Sequence, residues 1–338
     1  MSPLSLRVLS VLYDLHHGES LHMESRPTSL FGTDGVRGIV GADLTPELVV
    51  AIGKAFGIAL GERHRDASVL LGRDSRDSGP ELTRLVSAGL HTAGVRVTDC
   101  GIITTPGLCL LARELGYSGA VMISASHNPP QFNGLKLVNN DGEKLPDEMQ
   151  EHIEQLVLDQ QATISPSEAT TLPLDREALT HDYLDLLFGH LHQPTSLSGM
   201  TVVADCAWGA AWELGPAALA RAGAEVIAIH AEPRGKLINH GCGSLHPESL
   251  QARVMVEKAD LGVAFDGDAD RAMFVDELGQ VRDGDFTKYV LAQDLYRQGL
   301  LDPPVVVGTV MSNPGLVLAL QRLGVRLLRT PVGDRYVV

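Results

Sequence analysis

Three stretches of the chain carry the same succession of apolar and polar positions. They are SVLLGRDSRDSGPELTRLVSAGLHTAGVRVTDC, MTVVADCAWGAAWELGPAALARAGAEVIAIH and PVVVGTVMSNPGLVLALQRLGVRLLRT. Each opens with a Val-rich, near-continuously apolar run, the pattern of a strand buried on both faces. A polar or Gly-containing loop follows, then an amphipathic helical pattern that ends at Gly94, Gly223 or Gly324. Glycine ends helices cheaply because it enters the left-handed region without a Cβ penalty. A second β-rich run completes each unit. Strand–helix–strand units of this kind predict parallel sheets covered by helices. Three copies predict three related α/β domains in place of one large sheet.

The segments between these units supply the boundaries. Residues 158–194 are rich in Thr, Ser and Pro around ATISPSEATTLPLD, then predict a helix over Arg176–Leu191 and an HQPTSLSG loop. A second boundary falls near Gly279–Asp285. The chain therefore divides into an N-terminal extension (1–28), a first α/β domain (29–180), a second (181–280) and a third (281–338) that stops just after its second strand. The expected fold class is α/β: repeated three-layer α/β domains with mixed, largely parallel sheets, the third domain incomplete. The first 22 residues, MSPLSLRVLSVLYDLHHGESLH, make a poor signal peptide, and Met23 is a more natural start. They are expected to be an extension without a packed role.

Composition narrows the class of function. The 338 residues include 42 acidic and 27 basic side chains, for a formal charge of −15, with 44% hydrophobic and 20% charged residues. Such a chain is long enough for two or three cored domains and too apolar for wholesale disorder. The acidic balance argues against a surface that tracks nucleic acid, since such surfaces neutralise phosphates with Lys and Arg. It leaves room for a small anionic substrate held by a few local cations. No apolar run reaches the roughly 18 residues of a membrane span, so no membrane partner is expected. Cys100, Cys109, Cys206 and Cys242 form no CxxC pair, which fits a reducing, cytoplasmic setting.

Three motifs can carry chemistry. The sharpest is Asp266-Gly-Asp268-Ala-Asp270-Arg271, which follows LGVAF and precedes AMFVDE. Carboxylates at alternate positions of a turning loop can converge on one hard divalent cation. A calcium hand is excluded by Arg271 at the position that needs glycine, and by strand-like flanks. An acidic hairpin without metal is the plain alternative. The second motif is Gly119-Ala-Val-Met-Ile-Ser124-Ala-Ser126-His127-Asn128-Pro129, an apolar strand running into a Ser- and His-bearing turn. A serine here can act as nucleophile or phosphoryl carrier, with His127 as a base if the loop brings it within reach. An ordinary Ser/Asn/Pro turn accounts for the same residues. The third cluster joins Phe31-Gly-Thr-Asp-Gly-Val-Arg37-Gly38 to Gly72-Arg73-Asp74-Ser75-Arg76, where glycines permit close approach to a phosphate and arginines make bidentate oxyanion contacts. Lys136, in Asn133-Gly134-Leu135-Lys136, is a further available cation.

In their order along the chain these motifs resemble the α-D-phosphohexomutase superfamily, most closely its bacterial phosphoglucosamine mutase branch. The resemblance runs from about Ser29 to Val338 and takes in FGTDGVRG, SASHNP, NGLK, DGDADR, TVMSN and VGDRYV. The stretch Cys242-Gly-Ser-Leu-His246-Pro-Glu248 favours the glucosamine branch over the phosphomannomutase/phosphoglucomutase branch, although Leu245 stands where Thr is usual. The resemblance implies four domains around a cleft, three of them related. It implies interconversion of glucosamine 6-phosphate and glucosamine 1-phosphate through a phosphoserine and a sugar bisphosphate. It further implies that Ser126 is the phosphorylated serine and that Ser126, Asp266, Asp268 and Asp270 hold Mg²⁺. By the same likeness Arg37, His127 and Lys136 line the transfer site, with Lys136 the candidate base, and Arg271, Asp334 and Arg335 face the substrate, a small sugar phosphate.

Two family elements are missing from these 338 residues: a Gly-Glu-x-Ser-Gly-His sugar loop and an Arg-x-Ser-Gly-Thr-Glu phosphate loop of the fourth domain. The expectation is a C-terminally shortened chain that keeps the serine–metal half-site and has little turnover by itself. Losing three or four contacts to a charged phosphate, at roughly 1.5–3 kcal/mol each, weakens transition-state binding by orders of magnitude. The alternatives are a phosphomannomutase or phosphoglucomutase, and a non-catalytic fragment.

Overall fold

A computed structural model describes residues 30–32, 35–159, 175–176, 179–191, 196–333 and 336–337. The N-terminal extension, the Thr/Ser-rich linker and the site candidates Asp334 and Arg335 lie outside the described residues. Six strands make the first sheet: Val36–Ile39 (β1), Ser68–Arg73 (β2), Arg96–Ile102 (β3), Gly119–Ile123 (β4), Phe132–Val138 (β5) and Asp175–Arg176 (β6), in the order β1-β5-β4-β2-β3-β6. β2 runs parallel to β3 and β4, and β6 parallel to β3, while β5 is antiparallel to both β1 and β4. Every residue of β4, GAVMI, is buried, which is why that strand lacks the alternation of a half-exposed one.

Helices Pro46–Gly61 (α1), Gly79–Thr92 (α2), Thr105–Glu114 (α3) and Asp147–Leu158 (α4) accompany this sheet. Their starts are written in the sequence. Thr45 caps α1 by accepting from the Leu48 amide, and Thr104 caps α3 by accepting from the Gly107 amide, each with proline in the first turn. α3 packs on β2 and β4 and on the helix Thr180–Gly189 (α5), where Leu108, Leu111, Met122, Leu179 and Tyr183 share one core. The helix expected over 176–191 thus begins later, because Asp175 and Arg176 pair with Thr98 and Asp99 and extend the sheet edge.

The second sheet contains Thr201–Asp205 (β7), Glu225–Ile229 (β8), Leu261–Phe265 (β9), Ala272–Asp276 (β10) and Val281–Arg282 (β11), in the order β11-β10-β9-β7-β8. β7 is parallel to β8 and β9, and β9-β10-β11 is an antiparallel meander. Helices Ala211–Arg221 (α6) and Glu248–Glu257 (α7) belong to this unit. The third contains Gly284–Arg297 (α8), Val305–Thr309 (β12), Pro314–Arg322 (α9) and Arg326–Thr330 (β13), with β12 and β13 parallel. Ala292, Leu316, Leu320 and Val325 form its small core, and Leu291, Leu318 and Leu328 are exposed. Gly94, Gly223 and Gly324 follow the helices of the three repeats with φ of 78°, 99° and 81°, as the repeat pattern requires.

Register brings the chemistry together. Arg73 ends β2 opposite Ile123, the end of β4, so the loops after both strands leave one edge of the sheet side by side. On the antiparallel neighbours, Lys136 pairs with Met122 and Arg37 with Gly134, near that same edge. In the second sheet, β9 ends at Phe265 opposite Ala272, and residues 266–271 form the connecting hairpin loop. Open α/β sheets offer ligand sites at the C-terminal ends of their parallel strands.

Candidate active site

Ser126 lies in the loop after β4 with φ of +52°, a conformation that costs a non-glycine residue strain. Arg76, from the loop after β2, holds that conformation. Its fully buried guanidinium pairs with Asp74 at 2.8 Å and donates to the carbonyl oxygens of Ser126 (3.0 Å), Asn128 (2.8 Å), Pro129 (2.6 Å) and Phe132 (2.8 Å). Asp74 also accepts from the Ser124 hydroxyl at 2.8 Å, and the Ser126 amide donates to Ser124 Oγ at 2.8 Å. Asn239, from the second unit, donates to the Ser126 carbonyl at 2.9 Å. Arg73 is likewise engaged, with Asp99 at 2.9 Å. Asp74 and Arg76 therefore brace the serine loop, and the expectation of a phosphate-binding arginine here is corrected for Arg76, whose Nε, Nη1 and Nη2 all donate to Asp74 or to protein carbonyls. Gly35 too serves packing, because a Cβ there would meet the Leu135 carbonyl at 2.3 Å.

The acidic loop approaches the serine from the second sheet. Ser126 Oγ donates to Asp266 Oδ2 at 2.6 Å, and the Arg271 amide donates to Asp266 Oδ1 at 3.0 Å. Gly267 makes this approach possible, since a Cβ on it would stand 2.7 Å from the Ser126 carbonyl oxygen. Asp268 is buried; its Oδ2 accepts from Thr105 Oγ1 at 2.6 Å and from Lys136 Nζ at 2.8 Å. Lys136 Nζ also stands 3.5 Å from Asp270, whose side chain is half exposed.

Electrostatics follows from this crowding. Burial, then repulsion from Asp268, pushes the Asp266 carboxyl up to about 6. Burial alone raises Asp268 as well, but the Lys136 ammonium and the hydrogen bonds from Lys136 and Thr105 hold it below the ordinary carboxylate value. Burial followed by the nearby Arg271 and Arg37 guanidinium groups lowers the His127 imidazole. Its Nδ1 is 3.4 Å from Ser126 Oγ, beyond good hydrogen-bond reach, and the hydroxyl proton is already directed at Asp266. His127 is therefore not placed to take the serine proton in this arrangement.

The donor set fits a hard divalent cation. Asp268 Oδ1 is buried and has no hydrogen-bond partner, an acceptor that costs free energy unless something electropositive faces it. Three crowded carboxylates and a serine oxygen are the ligands such ions prefer. Beside Lys136 and Asp270 lies a partly open cavity of about 100 Å³, lined also by Phe31, Gly35, Thr105 and Cys109.

Residues 28–163, 181–279 and 283–338 match, respectively, alpha/beta/alpha domains I, II and III of phosphoglucomutase/phosphomannomutase. The chain belongs to that family. The phosphoglucosamine mutase of Symbiobacterium thermophilum is 46% identical over 312 residues, which cover 91% of this chain and 69% of that protein. Among solved structures, a putative phosphomannomutase from Thermus thermophilus superposes with a TM-score of 0.77 at 27% identity, over 90% of this chain and 69% of that one. A phosphoglucomutase/phosphomannomutase family protein from Burkholderia thailandensis has the same TM-score at 26% identity, over 91% and 67%.

Membership fixes the chain as a phosphohexomutase-type enzyme whose family uses a metal ion. Among the described residues, the structure brings together Ser126, His127, Asp266, Asp268, Asp270 and Lys136, with Arg37 and Arg271 acting on His127. No helix of the described residues is long and apolar enough to cross a membrane. A second group of metal-type ligands, Asp205, His230 and Cys242, sits elsewhere in the family's domain II. There Asp205 accepts from the Ala207 amide (2.9 Å), the Gly243 amide (3.0 Å) and His230 Nδ1 (3.0 Å). Burial, then the Asp205 charge, pushes the Cys242 thiol up to about 12, so this group is a hydrogen-bonded brace for two loops. The residues that sequence reasoning passed over are Asp74 and Arg76 as loop braces, Ser124, Asn239 and Thr105. Of these, Asp74 and Arg76 in GRDSR and Ser124 in the serine motif stood in stretches already singled out in the sequence, and Asn239 and Thr105 did not.

Proposed function

We propose that the chain carries the serine and metal machinery of a mutase that interconverts glucosamine 6-phosphate and glucosamine 1-phosphate through a phosphoserine at Ser126. The observation that carries the reading is the 2.6 Å contact between Ser126 Oγ and Asp266 Oδ2, made between loops of two different sheets. The 46% identity to a phosphoglucosamine mutase supports the amino-sugar branch. The domains are taken as 29–180, 181–280 and 281–338.

A phosphoserine carries about −1.5 to −2 charges at neutral pH, and transfer of its phosphoryl group is mostly a matter of positioning and charge stabilisation. Ser126 presents the group and Arg37 lies on the same sheet edge to receive its oxygens. A sugar hydroxyl oxygen bonds to phosphorus as the Ser126 Oγ–phosphorus bond breaks. Lys136 Nζ, as the free amine, accepts the hydroxyl proton, and the resulting ammonium gives that proton to the Ser126 oxygen set free. The bisphosphate then yields its other phosphoryl group to Ser126 Oγ: the oxygen–phosphorus bond on the sugar breaks, and the serine proton passes to the sugar oxygen released. His127, whose imidazole is held below its ordinary value by burial and two arginines, stands beside Ser126 in the transfer site, and Arg271, Asp334 and Arg335 are assigned to the substrate. Mg²⁺, held by Ser126, Asp266, Asp268 and Asp270, would offset the charge of the phosphoryl group. The four cysteines are free thiols, consistent with a cytoplasmic enzyme.

The test is to incubate the chain with a hexose 1,6-bisphosphate and Mg²⁺ and to map the phosphate by mass spectrometry. Phosphate on Ser126 supports the reading, and phosphate on Ser124 overturns it. The names of the two solved relatives favour a second reading, phosphomannomutase or phosphoglucomutase. Comparing glucosamine, glucose and mannose phosphates as substrates separates the two.

A further inference from the structure

The two oxygens of Asp268 are treated very differently by the protein. Oδ2 receives two donors, Thr105 Oγ1 at 2.6 Å and Lys136 Nζ at 2.8 Å, while Oδ1 is also buried and receives none among the described residues. A carboxylate rotates easily about its terminal bond, whose preference is broad and two-fold. Something must therefore decide which oxygen is left bare. Lys136 alone does not, because a flexible ammonium with three donors can follow either oxygen. Thr105 can. It is the first residue of α3, buried, on a helix start fixed by the Thr104 cap. Its own amide, one of the helix's unpaired N–H groups, donates to the Asp268 carbonyl at 2.9 Å. Thr105 is thus tied to Asp268 by both its amide and its hydroxyl, and its hydroxyl reaches from the first sheet's unit to the acidic loop of the second.

We propose that Thr105 is a positioning residue for the metal: its hydroxyl locks the Asp268 carboxylate with Oδ1 turned toward the cation. The proposal rests on the reading of Asp266, Asp268 and Asp270 as metal ligands. It separates two contacts of one residue. The amide contact docks α3 on the acidic loop, and the hydroxyl contact orients a ligand. Groups that orient metal ligands in this way commonly change affinity by about 10–100-fold when removed.

The test measures Mn²⁺ binding to the full chain by electron paramagnetic resonance, with thermal melting in EDTA alongside. Thr105→Val keeps the shape and the amide contact but loses the hydroxyl, and should bind Mn²⁺ about tenfold more weakly. Thr105→Ser restores the hydroxyl and should stay within about twofold of the parent. Ser75→Ala removes another hydrogen bond between the same units, Ser75 Oγ to the Trp208 carbonyl at 2.5 Å, without touching a carboxylate, and should leave Mn²⁺ affinity unchanged. Unaltered affinity in Thr105→Val overturns the proposal, as does equal weakening in Ser75→Ala, which would assign the effect to docking of the units. Failure of Thr105→Ser to restore affinity also overturns it. Absence of Mn²⁺ binding by the parent chain, or binding that survives Asp268→Asn, overturns the metal reading itself and this proposal with it.

Discussion

The guanidinium of Arg76 donates to the carbonyl oxygen of Ser126 at 3.0 Å from a site with no solvent exposure. That bond ties the backbone of the serine loop to the strand next door. It also explains how Ser126 is held at φ of +52° without glycine. A strained conformation persists only where its surroundings over-determine it. Here Arg76 reaches four carbonyl oxygens of residues 126–132 while neutralising Asp74.

Replacing Arg76 should therefore cost far more than a surface arginine. Arg76→Met leaves the Asp74 carboxylate buried without its partner, a change that typically costs about 3–5 kcal/mol. Chemical denaturation should show a loss of that size, whereas Asn239→Ala, which removes one neutral clamp, should cost about 1 kcal/mol. A near-neutral Arg76→Met would mean that the loop keeps its shape without the clamp.

Gly267 is the point where the two loops touch. A Cβ there would lie 2.7 Å from the Ser126 carbonyl oxygen, 2.8 Å from Ile238 Cδ1 and 2.9 Å from Asn239 Nδ2. Backbone oxygen cannot give way as a flexible side chain can, so Gly267→Ala should push the acidic loop off the serine. The expected result is a stability loss of about 1–3 kcal/mol, as for overpacking elsewhere. Phosphorylation of Ser126, followed by mass spectrometry, should fall sharply. Gly41→Ala is the control for the loss of a glycine, because nothing lies within 4 Å of a Cβ there; its own φ of +83° adds only local strain.

Much of this was legible in the sequence, and for identifiable reasons. The repeat of apolar run, helix and glycine marked the strand–helix–strand units; the expected burial on both faces holds for β2 and β7, whereas β8, β12 and β13 are only partly buried. DGDADR and SASHNP announced themselves because their side chains bear the chemistry. Arg76 and Thr105 did not. Their importance lies in which carbonyl or carboxylate they meet across β2, β4 and α3, and only strand register sets that. The same limit explains the correction at Arg76: a phosphate-binding arginine and a carbonyl-clamping one are identical in sequence. The late start of α5 has a similar cause, because a two-residue pairing at the edge of β3 outweighs local helical preference.

Stability of the metal-free protein should depend on pH in a direction set by Asp266. Burial and repulsion raise its carboxyl from 3.8 to about 6, so the folded state holds a proton more tightly than the unfolded chain. A raised folded pKa gives stability that is present below pH 4 and lost as pH climbs through about 6. At about 1.4 kcal/mol per pKa unit the loss is on the order of 2–3 kcal/mol. Asp266→Asn mimics the protonated form and should remove this part of the slope. Melting in EDTA between pH 4.5 and 7.5 compares the two proteins; identical slopes would show that Asp266 titrates normally.

Lys136 supplies the only ammonium given a contact to the acidic loop among the described hydrogen bonds and ion pairs, at 2.8 Å from Asp268 and 3.5 Å from Asp270. Without it, the buried Asp268 loses its contacting cation and faces Asp266 and Asp270 with only the more distant Arg37 guanidinium opposing its charge. Lys136→Met should therefore destabilise the metal-free chain by about 3–5 kcal/mol. A divalent cation restores positive charge to the same carboxylates, and a ligand present at 100 times its dissociation constant stabilises the folded state by about 2.7 kcal/mol. The parent must share Asp268 and Asp270 between the ammonium and the cation, and the variant has no such competition. The rise in Tm on adding saturating Mn²⁺ should consequently be larger for Lys136→Met than for the parent chain, even though the variant starts from a lower value. Equal rises would mean that Lys136 and the cation act on the carboxylates independently.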